Sequence, residues 1–350
     1  MKKELPSKEI MYNALLRKDA SFDGVFFVAV KTTGVFCRPV CTARKPKMDN
    51  VEFFSTVNDA VSKGYRACKI CNPLNVNSGI PIWMKELLIK IQAAPNERWK
   101  DSDLRKLGLE PNRVRRWFKK NYNITFLSYL RSIRLGTAIN QLGNGDKIME
   151  TAYTTGFESL SGFNDALKGL TGKSPLRSKD MKVFAIDKIL TPLGYMIAGA
   201  IDDKLCMLEF EDRRMLNTQI KRITKTHKAV PIFQKHELFR EVENQINLYF
   251  DGRLKEFSLP LAVTGTEFQK NVWNELLKIP YGKTICYEEL AERIGNPPAV
   301  RAVASANGYN SIGIIIPCHR VIGKDGNLRG YGGKVWRKKR LLELEENYRS

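Results

Sequence analysis

No stretch of this chain approaches the length needed to cross a membrane. The longest apolar runs, such as Gly313-Ile314-Ile315-Ile316-Pro317, are strand-sized. The opening Met1-Lys2-Lys3-Glu4-Leu5-Pro6 lacks the apolar core of a secretion signal, so the expectation is a cytoplasmic, nucleoid-associated protein with no membrane partner. There is no glycine-rich nucleotide-binding loop and no methyl-donor site. Acids are scarce: 37 Asp and Glu face 58 Lys and Arg, for a net charge of +21. So large a surplus points to a polyanion partner, with nucleic acid ahead of a membrane surface. The seven cysteines are odd in number, and four fall in the first 71 residues, which argues against a disulfide framework.

At 350 residues the chain has room for two or three domains. Up to residue 77 it reads as a small α+β unit, with strands at Val25–Val30 and Val51–Phe54 and a helix from Thr56 to Lys63 stopped by Gly64. Asn75–Pro81 reads as a linker. Residues 82–180 read as all-α. A helix opens at Ile82, and two helix–turn–helix patterns follow, at 103–120 and 147–168, joined by a helix over Phe126–Leu142. Gly108 and Gly156 at the turns allow a steep crossing without a Cβ clash. From 185 onward the pattern is mixed α/β. Strands are expected at Tyr195–Ala200, Leu205–Phe210 and Ile312–Ile316. Helices are expected at Leu238–Phe250, Phe268–Lys278, Tyr287–Ile294, Ala299–Ala306 and Arg337–Tyr348.

Cys37-x3-Cys41 and Cys68-x2-Cys71 have the spacing of one tetrahedral Zn²⁺ site, and spacing alone suggests a structural ion. The flanking residues, Thr32-Thr33-Gly34-Val35-Phe36-Cys37-Arg38-Pro39-Val40-Cys41-Thr42-Ala43-Arg44 and Gly64-Tyr65-Arg66-Ala67-Cys68-Lys69-Ile70-Cys71, resemble the zinc domain of the Ada adaptive-response family. The resemblance implies that Cys37 accepts a methyl group from a DNA methylphosphotriester. Arg38, Arg44 and Arg66 are the residues to hold the backbone. Zinc ligation keeps a thiol deprotonated at neutral pH. Methylation would neutralise one thiolate and lessen the repulsion of phosphate.

The helical segment resembles the AraC-type regulators, with Asn112-Arg113-Val114-Arg115-Arg116-Trp117-Phe118-Lys119-Lys120 as the first recognition helix. Arg113, Arg115 and Arg116 are candidate base or phosphate contacts. The second helix departs from the pattern at Gly162 and Asp165, and Glu110 stands where a serine N-cap is usual. The expectation is weakened DNA contact by the second unit.

Pro317-Cys318-His319-Arg320 lies within a stretch, Gly265 to Glu345, that resembles the O6-alkylguanine-DNA alkyltransferases. Other matching pieces are Thr266–Trp273, Ile279-Pro280-Tyr281-Gly282, Tyr287–Ala291, Ala299–Val303 and Leu341–Glu345. The resemblance implies that Cys318 is the nucleophile, that His319 removes its proton through a water, and that Glu345 orients His319. It implies that Asn310 braces the turn before the motif. Tyr287 and Arg301 turn the nucleotide out and fill its place, and Tyr331 joins them in the DNA and substrate contacts. Ser311 stands where the family often has proline, so a looser turn is expected. Cys206 and Cys286 are expected to be buried and inert, and His227 and His236 to be surface residues. The basic start of the last helix, Arg337-Lys338-Lys339-Arg340, is expected to face DNA.

Taken in order, the resemblances cover almost the whole chain in the Ada arrangement. They imply a four-cysteine zinc domain (1–77), an AraC-like double helix–turn–helix domain (82–180), and an α/β alkyltransferase with an N-terminal subdomain (185–263) and a winged-helix-like catalytic subdomain (264–350). The implied activity is single-use transfer of methyl groups from O6-methylguanine and O4-methylthymine to Cys318. A second transfer, from phosphotriesters to Cys37, would switch on repair genes. The implied partners are one Zn²⁺, alkylated and promoter double-stranded DNA, and RNA polymerase, with the protein a monomer. The alternative is a transcription regulator with a purely structural zinc and a non-catalytic third domain.

Overall fold

The computed structural model describes residues 5–19, 22–71, 73 and 81–348. All of the expected linker except Pro81 lies outside the described residues. The first unit contains α1 (Lys8–Arg17), β1 (Phe27–Val30), β2 (Val35–Cys37), β3 (Val51–Phe54), α2 (Val57–Ser62) and β4 (Arg66–Ala67). The sheet order is β3-β1-β2-β4, antiparallel except for the β2–β4 pair. Alternation along the strands sends Phe27, Ala29 and Phe36 to α2, and Phe26, Val28 and Val51 to Met11, Ala14 and Leu15 of α1. Thr56 caps α2 through the Asp59 amide.

The helical unit comprises α3 (Ile82–Ala93), α4 (Asp101–Lys106), α5 (Pro111–Tyr122), α6 (Phe126–Gly143), α7 (Ile148–Thr154) and α8 (Leu160–Thr171). Helix α6 is shared. Its first half packs Phe126, Tyr129, Leu130 and Ile133 into the first core, and its second half packs Leu135, Ala138, Ile139 and Leu142 into the second. Gly108 (φ +71) and Gly156 (φ +80) take the left-handed conformation at the two turns. A Cβ on Gly156 would also lie 2.4 Å from the Asn96 carbonyl oxygen. Glu110 is a working cap: its carboxylate accepts from the amides of Asn112 (3.0 Å) and Arg113 (2.6 Å).

The third unit opens with β5 (Lys182–Thr191), β6 (Gly194–Ile201), β7 (Lys204–Phe210), α9 (Leu216–Thr226), β8 (Ala229–Phe233) and α10 (Glu237–Phe250). Its sheet order is β7-β6-β5-β8, with only the β5–β8 pair parallel. One face covers Ile223 of α9. The other shares a continuous core with the catalytic subdomain, including Trp273, Val303 and Leu341. That subdomain contains α11 (Glu267–Leu277), β9 (Ile285–Cys286), α12 (Tyr287–Arg293), α13 (Val300–Gly308), β10 (Val321–Ile322) and α14 (Val335–Asn347).

The expected strand over Ile312–Ile316 is not one. The run is buried, which accounts for its apolar side chains, but its backbone turns back on itself. The Ile316 amide bonds to the Ile312 carbonyl, Ile314 sits at φ +71, and only Ile312 makes an isolated bridge, to Leu208 of β7. A β-branched residue in the left-handed region is strained and persists only where its surroundings fix it. The Ser311 hydroxyl donates to the Cys206 carbonyl (3.1 Å).

The units touch one another. Ile232 of β8 lies against Gly136 of α6, and the Tyr122 hydroxyl donates to Asp187 (3.3 Å). Phe22 of the first unit stacks on Trp336 of α14 at 4.4 Å, and the Lys334 ammonium bridges Asp19 and Asp212.

Candidate active site and metal centre

Cys318 begins a single 3-10 turn, Cys318–Arg320, between the buried isoleucine turn and β10. Its sulfur accepts a hydrogen bond from Asn310 Nδ2 at 3.1 Å. The same amide nitrogen donates to the Ile316 carbonyl (2.9 Å), while Asn310 Oδ1 accepts from the Ile312 amide (2.9 Å). Asn310 therefore both folds the turn and touches the sulfur. Burial pushes the Cys318 thiol up, opposed by Asn310 and by the positive charges of Arg213 and Lys338.

His319 is fully buried, and its Nε2 lies 2.8 Å from Glu345 Oε1. Glu345, on α14, also accepts from Arg320 Nε and Nη2 (both 2.9 Å), the Tyr249 hydroxyl (2.8 Å) and the Gly282 amide (3.1 Å). Burial alone would raise this carboxyl. His319 and Arg320 outweigh burial and hold it well below the usual carboxylate range. Burial lowers His319, against the pull of Glu345. An ionised Glu345 can only accept, so Nε2 carries the ring proton. In the neutral ring Nδ1 is then the base, and it has no protein partner among the described residues.

Cys318 opens onto a cavity of about 850 Å³ lined by Tyr287, Arg301, Asn307, Tyr331 and Arg213, among others. Tyr287 starts α12 and is half-buried. Arg301 starts α13 and is exposed, while Tyr331 lies half-buried in the glycine-rich loop before α14. Of the basic start of α14, Lys339 is exposed and Arg340 half-buried, but two residues are withdrawn from the surface. Arg337 and Lys338 are buried, Arg337 on Asp212 and the Leu193 carbonyl, Lys338 on the Val321 and Arg329 carbonyls. Burial pushes Lys338 down to about 8. Cys206 is buried as expected, but Cys286 is half-buried and caps α12 through the Glu289 amide. His227 and His236 are also half-buried, His227 bonded to Thr264 and His236 capping α10.

In the first unit the sulfurs of Cys37, Cys41, Cys68 and Cys71 lie within 4.8 Å of one another, with Cys41 and Cys68 at 4.0 Å. A tetrahedral Zn²⁺ with sulfur at about 2.3 Å needs sulfurs about 3.8 Å apart, so the set fits one ion. The strand β2 delivers Cys37, and β4 delivers Cys68 just beyond its end. Hydrogen bonding from Cys37 pushes Cys71 down to about 5, while the same bond, with burial, pushes Cys37 up. Arg38 is tied to Asp23 (Nε–Oδ1 2.7 Å), whereas Arg44 and Arg66 are exposed.

On α5, Arg113, Arg115 and Arg116 are all exposed. Arg113 stacks over Trp83 at 4.3 Å, Arg115 pairs with Asp101 (2.6 Å), and Arg116 bonds only loosely to the Asn112 carbonyl (3.3 Å). On α8, Gly162 donates its amide to the Ser159 cap and Asp165 is exposed. Four residues in the network around Cys318, His319 and Glu345 were not assigned to it from the sequence. Arg320 sits in the Pro-Cys-His-Arg motif and was findable there; Tyr249, Arg213 and Lys338 act from distant elements.

Four family models match the chain: the metal binding domain of Ada (residues 10–73), a helix-turn-helix domain (104–180), and the ribonuclease-like domain (187–263) and DNA binding domain (267–347) of 6-O-methylguanine DNA methyltransferase. Over 351 residues the chain is 32% identical to the bifunctional transcriptional activator/DNA repair enzyme Ada of Escherichia coli (strain K12), covering 95% of each protein. It is 55% identical over 109 residues to a methylated-DNA–protein-cysteine methyltransferase of Mycobacterium tuberculosis (strain H37Rv), across 31% of this chain and 66% of that protein. A crystal structure of Mycobacterium tuberculosis OGT in complex with DNA aligns with 47% of this chain and 94% of that one, at 41% identity and a TM-score of 0.41. The likeness to the Escherichia coli protein runs essentially end to end, through metal-binding, helix–turn–helix and methyltransferase segments in turn, and the chain belongs to the Ada family.

Proposed function

We propose that this protein repairs alkylated DNA by two irreversible transfers, and that one of them makes it a transcriptional activator. Methyl from O6-methylguanine and O4-methylthymine goes to Cys318, and methyl from a backbone methylphosphotriester goes to Cys37. The observation that carries the first transfer is the linked set Asn310–Cys318 (3.1 Å) and His319–Glu345 (2.8 Å) at the edge of a cavity lined by Tyr287, Arg301 and Tyr331.

The target atom of a damaged base lies inside the duplex, so the nucleotide must leave the stack. Arg301, at the exposed start of α13, fills the gap, and Tyr287 and Tyr331 line the pocket that receives the base. His319 Nδ1 takes the thiol proton through a water, and Glu345 stabilises the imidazolium. Asn310 donates to the sulfur as it becomes negative. The thiolate attacks the methyl carbon in line, the carbon–oxygen bond breaks, and its electrons stay on the base. The product is a thioether, and the cysteine is spent.

For the second transfer, Cys37, Cys41, Cys68 and Cys71 would hold one Zn²⁺, which when bound would keep Cys37 deprotonated at neutral pH. Cys37 attacks the methyl carbon of the phosphotriester, the carbon–oxygen bond breaks with its electrons left on the phosphodiester, and Cys37 becomes a neutral thioether. The site loses one negative charge, and its affinity for phosphate rises. Arg44 and Arg66 are free to hold the backbone, and Arg113, Arg115 and Arg116 bring α5 to promoter DNA. Activation then proceeds by contact with RNA polymerase, with the protein acting as a monomer in association with the nucleoid.

The test is mass spectrometry after exposure to DNA carrying isotopically labelled methyl groups. Label is expected on the Cys318 peptide with O6-methylguanine and on the Cys37 peptide with phosphotriesters. Label on neither would end the proposal. The rival, a regulator with a structural zinc, expects Cys37→Ala to lose folding only. The present reading expects phosphotriester repair to vanish while Cys318 still reacts.

A further inference from the structure

Three consecutive backbone carbonyls at the end of α13 are held by side chains from a different subdomain. Arg213 Nη1 donates to the Asn310 carbonyl (2.8 Å), and its Nη2 donates to the Gly308 carbonyl. The Tyr309 carbonyl between them accepts from Gln219 Nε2 and Arg222 Nη2, each at 3.0 Å. Arg213 follows β7, and Gln219 and Arg222 lie on α9. The last carbonyls of a helix have no partner within it and carry its negative dipole end, so two guanidiniums here are favourably placed. Arg213 is anchored in turn by Glu209 of β7, and both side chains are almost fully buried.

These contacts do more than fill a subdomain interface. Asn310, whose carbonyl Arg213 holds, is the residue whose side chain meets the sulfur. Arg301 stands at the other end of the same helix. The pocket loop also rests on the clamp: a Cβ on Gly332 would lie 2.5 Å from Arg213 Cζ. Arg213 Nε and Arg222 Nε and Nη1 have no protein hydrogen-bond partner among the described residues. The Arg213 guanidinium, nearly fully buried and partly unsatisfied, is costly as a mere fastener. The charged and titratable groups that act electrostatically on the sulfur are Arg213 from this subdomain, Lys338 from α14, and the hydroxyls of Tyr287 and Tyr331.

We propose that Arg213, Gln219 and Arg222 are positioning residues for the Cys318 reaction, through which the N-terminal subdomain fixes Asn310 against the sulfur and aligns α13. The inference rests on the reading of Cys318 as the methyl acceptor. The planar fork of Arg213 spans two carbonyls and a carboxylate at once, which a lysine ammonium cannot reproduce. Arg213→Lys therefore keeps the charge and loses the alignment. The pair Glu209→Gln with Arg213→Met removes both without stranding a buried carboxylate. Gln219→Leu removes one grip without changing charge.

The experiment uses the full-length protein. Single-turnover transfer from a duplex containing O6-methylguanine is measured beside the pH profile of Cys318 alkylation by iodoacetamide, which needs no DNA. Transfer is expected to slow about 10-fold in Arg213→Lys and about 100-fold in the double variant, the range set by one or two lost hydrogen bonds to charged groups. The alkylation profile moves to higher pH in the same order, while the dissociation constant for undamaged duplex changes less than about twofold. Gln219→Leu gives a smaller slowing in the same direction. A wild-type protein that takes no label from the methylated duplex would overturn the Cys318 reading itself. Wild-type labelling combined with unchanged rates and profiles in the variants would overturn the clamp alone. So would a loss of activity that merely follows the unfolded fraction, with the profile unmoved, in all three variants.

Discussion

The side chain of Asn310 makes three hydrogen bonds that close one turn, and one of them ends on Cys318 Sγ at 3.1 Å. The residue that shapes the backbone before the motif is also in contact with the Cys318 sulfur. A hydrogen bond to a developing thiolate contributes about 1.5–3 kcal/mol. Asn310→Ala should therefore slow methyl transfer about 10- to 150-fold. Rapid-quench measurement on a methylated duplex checks this, and a rate within twofold of wild type would remove Asn310 from the chemistry.

Glu345 joins more than the histidine. It accepts from His319, Arg320, Tyr249 and Gly282, from α14 across to the loop before β9. Glu345→Gln keeps the shape but leaves the Arg320 guanidinium buried without its counter-charge. Removing one partner of a buried pair typically costs about 3–5 kcal/mol. Urea unfolding of the alkyltransferase unit should show a loss of that size, together with loss of transfer to Cys318. Full stability in the variant would mean that Arg320 finds another acceptor.

The same residues fix the sign of the acid response. His319 sits below its ordinary value of 6.5 because burial favours the neutral ring. The unfolded chain therefore binds more protons as pH falls through 6.5, and stability declines from that point. Glu345 sits below its ordinary 4.5 because of His319 and Arg320, despite burial. Its contribution is complete above 4.5 and is lost as pH falls below it. Thermal melts should show a decline beginning near pH 6.5 and steepening below 4.5. Methyl transfer should outlast that first step and fade only at lower pH, as the native ring itself protonates, since a protonated His319 cannot take the thiol proton.

On the helical unit, Arg116 is exposed on the recognition face and only weakly tethered, whereas Arg113 leans on Trp83 and Arg115 on Asp101. If α5 lies along DNA, Arg116→Ala should reduce the slope of log K against log salt by about one. Asp165→Arg on α8 should raise it by a similar amount. Filter-binding titrations across a salt series measure both; an unchanged slope in Arg116→Ala would take that residue off the phosphate backbone.

The sequence made much of this legible because the helices carry clean apolar periodicity and punctuating glycines, as at Gly108 and Gly156, and because local motifs surround Cys37 and Cys318. The errors have physical causes. The Ile312–Ile316 run is apolar because it is buried, and burial alone cannot tell a strand from a turn held by Asn310. Arg337 and Lys338 read as a DNA-facing surface, yet their partners Asp212, Leu193, Val321 and Arg329 come from elsewhere in the chain. Helix α1, strand β5 and helix α9 went unremarked. With α9 went Gln219 and Arg222, whose carbonyl partner Tyr309 lies 90 and 87 residues away. Contacts at that separation leave no local pattern to read.

The zinc unit has two small cores, one on each face of a short sheet, and the four sulfurs sit at its end. A structural zinc commonly contributes about 10–16 kcal/mol to folding at neutral pH, more than cores of this size supply. A strong chelator should therefore unfold the zinc unit and abolish phosphotriester repair. Cys318 should keep transferring, because Asn310, His319 and Glu345 draw their partners from the third unit alone. The local losses are the stacking of Phe22 on Trp336 and the Asp19–Lys334 ion pair, both at the start of α14 and far along the helix from Glu345. The transfer rate to Cys318 should thus stay within about twofold, as expected for distant and weakly coupled sites. Circular dichroism and single-turnover assays on the chelated full-length protein test both halves, and loss of both activities together would mean that the two methyl acceptors do not fold independently.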